Sequence, residues 1–130
     1  MKKKAENIQK EVWKHFKYVP DIKQYMMEEH WTSHADEVEA GLDFSDDCDG
    51  FACTCAELLI RRGFKLEDVG IIYCTTETGE DHLVCGVDIE GITYILENRF
   101  RYIYDWKERK RYTWHYYMKF DNKGMWLKIT

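Results

Sequence analysis

Apolar positions recur with two different periods along this chain, and the change of period divides it. Up to residue 63 the spacing is helical. Ile8, Val12, Trp13 and Phe16 predict a first helix over 5–18, which Pro20 interrupts. Asp21 is placed to cap a second helix through Ile22, Tyr25 and Met26 toward Trp31. Thr32-Ser33-His34 reads as a connection, and 35–45 keeps neither period. The third helix has the strongest pattern. Phe51, Ala52, Cys55, Leu58 and Leu59 follow Cys48 at i+3, i+4, i+7, i+10 and i+11. Asp46, Asp47 and Asp49 crowd its start and Arg61-Arg62-Gly63 its end, as the helix dipole and a glycine C-cap require.

Beyond residue 69 the period is two. Strands are predicted over 69–76, 82–89, 92–98, 112–120 and 125–129. Turns fall at Thr78-Gly79-Glu80-Asp81, Glu90-Gly91 and Asp121-Asn122-Lys123-Gly124, and 105–111 reads as a charged loop. Helices followed by an antiparallel sheet give the α+β class, with 1–130 as one domain.

The composition supports a packed core: 45% of residues are hydrophobic and 15% aromatic. A net charge of −5 without a basic face argues against nucleic acid as partner. Met1-Lys2-Lys3-Lys4 is followed by a polar stretch rather than an apolar one, and no run of about 18 apolar residues exists. The chain is therefore expected to be cytoplasmic, with no membrane partner. Five cysteines at irregular spacing do not suggest a disulfide framework. Cys53, Cys55, Cys74 and Cys85 read as small buried hydrophobes, whereas Cys48 has a strongly polar flank.

Cys48 thus stands where a polar turn becomes an apolar helix. His82 opens a strand, and Glu97 lies in the next one. Cysteine, histidine and acid in this order suit thiol-dependent acyl transfer. A helix N-terminus and an imidazolium both favour the reactive thiolate. A two-residue turn at Glu90-Gly91 would pair 89 with 92 and put 84 opposite 97. His82 and Glu97 would then share a face, with Asn98 on the other. His15, His30, His34 and His115 have no comparable neighbours in the sequence and read as structural or surface residues. Zinc finds no second ligand pair at the right spacing. Asp43, Asp46, Asp47 and Asp49 could gather calcium, but the EF-hand glycine and closing glutamate are missing. No cofactor is expected.

These segments resemble the bacterial transglutaminase-like cysteine peptidases, a papain-like group also met in phages. The resemblance runs over roughly 18–100. It rests on Asp46-Asp47-Cys48-Asp49-Gly50-Phe51-Ala52, His82-Leu83-Val84-Cys85 and Leu96-Glu97-Asn98-Arg99, with Tyr18-Val19-Pro20-Asp21 and Trp31 upstream. It implies a papain-like core and a Cys48–His82–Glu97 triad acting on a protein or peptide. Some relatives bind calcium near the nucleophile, which keeps Asp46, Asp47 and Asp49 in view. Two positions depart from the family pattern. Gly50 replaces an acid, suggesting a looser pocket or a different substrate, and Glu97 replaces an aspartate. The acyl-enzyme could pass to water or to an amine. The rival reading is an inactive member of the fold that binds a protein, such as a host-directed phage module.

Overall fold

The computed structural model describes residues 1–19 and 32–129. Helix α1 (Lys2–His15) buries Ala5, Ile8, Gln9 and Val12. It stops three residues short of the predicted end. Phe16–Tyr18 is instead a strand, β1, paired in parallel with β2 (Phe44–Asp46). The Phe16 ring packs on Phe44 and Phe51 at centroid distances of 5.5 and 4.9 Å. The Val19 N–H donates to the Asp46 carbonyl at 2.9 Å. Aromatic burial and this short ladder outweigh helical periodicity, and Pro20 disfavours a helical residue before it. The second predicted helix lies outside the described residues. Between β1 and β2 in sequence comes a short helix, α2 (Ala35–Glu39), which buries Ala35 and Val38.

Helix α3 (Cys48–Arg61) agrees with its pattern. The Asp47 carboxylate caps it by accepting from the Asp49 and Gly50 N–H groups at 3.1 and 3.4 Å. At the other end Gly63 takes φ +105°. There the Phe64 N–H returns to the Leu59 carbonyl and the Gly63 N–H to that of Ile60, which closes a Schellman motif.

The sheet comprises β3 (Val69–Thr75), β4 (Asp81–Ile89), β5 (Ile92–Leu96), β6 (Tyr104–Asp105), β7 (Thr113–Lys119) and β8 (Leu127–Lys128). Its spatial order is β6-β5-β4-β3-β7-β8, and each neighbouring pair is antiparallel. Glu90 and Gly91 both have positive φ, 51° and 79°, as a two-residue hairpin turn requires. The β4–β5 register therefore runs from Ile89↔Ile92 to Cys85↔Leu96, as predicted. The predicted charged loop over 105–111 includes Asp105 of β6 and a 3-10 turn, Trp106–Glu108.

Alternation along β4 separates two cores. Leu83, Cys85, Val87 and Ile89 pack under α1 and α3. Val84 joins Ile72, Cys74, Ile95, Tyr104 and Tyr112 on the opposite face. That outer face also opens a cavity of about 280 Å³ lined by Gly70, Gly86, Trp106 and Trp114. The cavity touches none of Cys48, His82 and Glu97.

Candidate active site

Cys48 is the first residue of α3, placed there by the Asp47 cap. Its sulfur donates to Asp49 Oδ1 at 3.3 Å. The Leu83 backbone N–H also reaches the sulfur. β4 and β3 stay paired as far as Asp81, whereas β5 leaves β4 after Cys85↔Leu96. An N–H of β4 free to meet the sulfur therefore points to the vacated β5 side, so the sulfur lies at this open strand edge, one residue from His82. Burial pushes the thiol well above its ordinary value, and the Asp49 carboxylate adds to this, while the Leu83 N–H opposes it. Burial and Asp49 thus favour the thiol form and oppose the thiolate that a helix N-terminus alone would favour. Of the other thiols, Cys55, Cys74 and Cys85 are buried as expected, but Cys53 is half-exposed.

His82 and Glu97 come together just beyond the last paired residues of the β4–β5 hairpin, Cys85 and Leu96. His82 Nε2 lies 3.0 Å from Glu97 Oε1, and both residues are buried. Glu97 follows the end of β5 rather than lying within it. Its side chain is nonetheless enclosed. Tyr104 donates to Oε2, and Tyr112 donates to Oε1 at 3.0 Å. A carboxylate only accepts, so in this contact His82 Nε2 is the donor, and the tautomer with its proton on Nε2 leaves the lone pair on Nδ1.

Residues not singled out in the sequence hold this pair. Gln9 of α1 donates Nε2 to the Glu97 and Phe100 carbonyls at 2.8 and 2.6 Å, which pins the turn carrying the acid. The sequence did hold a signal: Gln9 sits beside Ile8 on the apolar stripe of α1, where a polar residue needs a reason. Arg99 binds Glu77 with both nitrogens, at 2.9 and 2.5 Å, and donates to the Tyr112 hydroxyl at 2.6 Å. Arg99 holds the Glu77 carboxyl well below the usual range. No signal in the sequence linked Tyr104 or Tyr112 to the acid, and Arg99 entered only as the last residue of the Leu96–Arg99 segment.

The three aspartates around Cys48 are each engaged. Asp47 caps the helix, and burial followed by repulsion from Asp49 and Asp46 pushes it up to about 6. Asp49 takes the thiol proton in a hydrogen bond. Asp46 accepts from the Asp47 N–H and lies 2.8 Å from His34 Nε2. His34 therefore has a specific partner beside the site, contrary to its reading as a residue without neighbours, and it stacks on Phe44 at 4.6 Å. His15 pairs with Asp43 and His115 with Thr75; His30 is outside the described residues. A Cβ on Gly50 would overlap the Asp46 carboxylate. The missing side chain thus leaves no looser pocket, because Asp46 fills the space. Among the described residues no group of three or more His, Cys, Asp or Glu is arranged to hold a metal. Asp46, Asp47 and Asp49 each accept a hydrogen bond from a protein donor.

The fold matches solved structures of LapG from Legionella pneumophila. The likeness has a TM-score of 0.71 at 21% identity and covers 91% of this chain and 65% of LapG. EGTA-treated LapG gives the same score over 63% of its chain, and calcium-bound LapG over 65%. The present chain thus spans less than two thirds of LapG, and at this identity the likeness is one of fold. No curated protein matches the chain. The family model described as bacterial transglutaminase-like cysteine proteinase, BTLCP, matches residues 1–130. That match runs from one end of the sequence to the other, and the chain belongs to the bacterial transglutaminase-like cysteine proteinase family.

Proposed function

We propose that this protein is a thiol-dependent amide hydrolase or acyl transferase, acting on a protein or peptide through Cys48, His82 and Glu97. The observation that carries the reading is the buried His82 Nε2–Glu97 Oε1 contact of 3.0 Å, next to the strand edge where the Cys48 sulfur lies. Glu97 holds Nε2–H, so Nδ1 is the basic nitrogen. In the reaction Nδ1 takes the Cys48 proton as the sulfur attacks the substrate carbonyl carbon. The Cys48 N–H at the helix start is placed to stabilise the oxyanion. Collapse of the tetrahedral species returns that proton to the leaving amine and leaves a thioester. Water or a second amine then attacks the thioester carbonyl and gives a proton to Nδ1, the C–S bond breaks, and the proton passes from Nδ1 to the released Cys48 sulfur. No step is routed through calcium.

One observation favours the rival reading of an inactive protein-binding module: the resting thiol donates to Asp49 and is buried against ionisation. Iodoacetamide at pH 7–8 with mass mapping separates the two. For an enzyme, Cys48 reacts well before the other four cysteines, and His82→Ala removes that preference. Glu97→Gln slows the reaction by about 10²-fold, as expected on losing an orienting acid. Asn98→Ala is expected to do much less. Equal labelling of all five cysteines in the folded protein would support the inactive module.

A further inference from the structure

Glu97 is buried to 1% exposure, and it lies beyond the end of its strand, where no ladder fixes its backbone. Something else must keep its carboxylate on His82. The two phenols are suitably placed. Tyr104 comes from β6 and binds Oε2, and Tyr112 comes from just before β7 and binds Oε1, the oxygen that His82 also meets. The direction of each hydrogen bond follows from donor chemistry. Arg99 has only donors, so the Tyr112 oxygen accepts from it. The single Tyr112 proton is then free to go only to Glu97. Tyr104 likewise donates to the carboxylate. Burial, then the Glu97 charge, pushes both phenols well above their ordinary value, so both keep their protons. Tyr112 also meets His82 edge-on at 6.2 Å, which limits rotation of the ring.

We propose that Tyr104 and Tyr112 are positioning residues that clamp the Glu97 carboxylate, and that the Glu77–Arg99 pair fixes the orientation of Tyr112. The clamp selects the His82 tautomer with its proton on Nε2 and thereby exposes Nδ1 as the base. It also accounts for the glutamate at 97. The carboxylate must reach His82, Tyr104 and Tyr112 at once, and an aspartate on the same backbone would draw back from all three. The assignment rests on the triad reading for its catalytic meaning, but the clamp itself is a statement about His82 and Glu97.

The test uses Tyr104→Phe, Tyr112→Phe, the double variant and Arg99→Gln in the full chain. Phenylalanine keeps the ring and removes only the hydroxyl. The first readout is the His82 imidazole in ¹⁵N NMR. Wild type is expected to show Nε2–H, and the double variant a mixture of tautomers. The second is the pH profile of Cys48 alkylation. Each hydroxyl should be worth about tenfold in rate at neutral pH, the scale of one hydrogen bond to a charged group, and the profile should move. Arg99→Gln should reproduce part of the Tyr112→Phe effect. A purely structural role would lower the melting temperature and leave tautomer and profile in place. Wild-type tautomer and pH profile in a folded double variant would overturn the clamp. Should alkylation be insensitive to His82→Ala, the triad reading fails, while the NMR readout still decides the clamp.

Discussion

Cys48 is governed by two opposing neighbours. The Leu83 N–H stabilises the thiolate, while Asp49 both repels it and holds the thiol proton. Burial is the largest influence and is unaffected by either. Asp49→Asn should therefore raise the rate of Cys48 alkylation near pH 8 by roughly tenfold, the worth of one charge at hydrogen-bond distance in a half-buried site. An unchanged rate would mean that Asp49 does not contact the thiol in solution. Gly50 illustrates a different residue-level constraint. It is explained by the Asp46 carboxylate occupying the place of its side chain, and Asp46 in turn holds His34.

At the level of elements, α3 begins among like charges that must coexist. Asp47 accepts two helix N–H groups, yet burial and then repulsion from Asp49 and Asp46 raise its pKa from 3.8 to about 6. The fold thus holds this proton more tightly than the unfolded chain does. Its contribution to stability is fully present below about pH 4 and is lost as pH rises through about 6. Asp47→Asn keeps a capping oxygen but cannot ionise. The melting temperature of Asp47→Asn relative to wild type should therefore increase between pH 4 and pH 6.5. A difference independent of pH would show that Asp47 titrates normally.

Across the whole molecule, the candidate site is assembled from distant parts of the chain. Gln9 lies 88 residues from the Glu97 carbonyl it binds. Glu97 is 15 residues from both His82 and Tyr112. Among the described residues no helix is long and apolar enough to cross a membrane. The Gln9 link joins the first helix to the turn after β5, so its loss is expected to destabilise the fold and loosen the site together. Gln9→Leu leaves two carbonyls without this donor and should cost about 2–4 kcal/mol in urea denaturation. It should also slow Cys48 alkylation while His82 and Glu97 remain in place. Full stability in Gln9→Leu would show that water replaces the amide.

Features that depend on neighbours along the chain were legible in the residues alone. The polar-to-apolar change at Cys48 and the acids beside it set the start of α3, because caps and the helix dipole act within one turn. Glu90-Gly91 set the β4–β5 register from Ile89↔Ile92 to Cys85↔Leu96, because a two-residue turn leaves no freedom in pairing, and this brings the strand ends that carry His82 and Glu97 side by side. Tertiary structure decided the rest. The end of α1 yielded to Phe16 packing on Phe44 and Phe51. The place of β7 beside β3, and hence of Tyr112 beside Glu97, follows from closing a long connection, for which local periodicity carries no signal. The upward push on the Cys48 thiol comes chiefly from burial, a property of the surrounding fold that no spacing along the chain encodes.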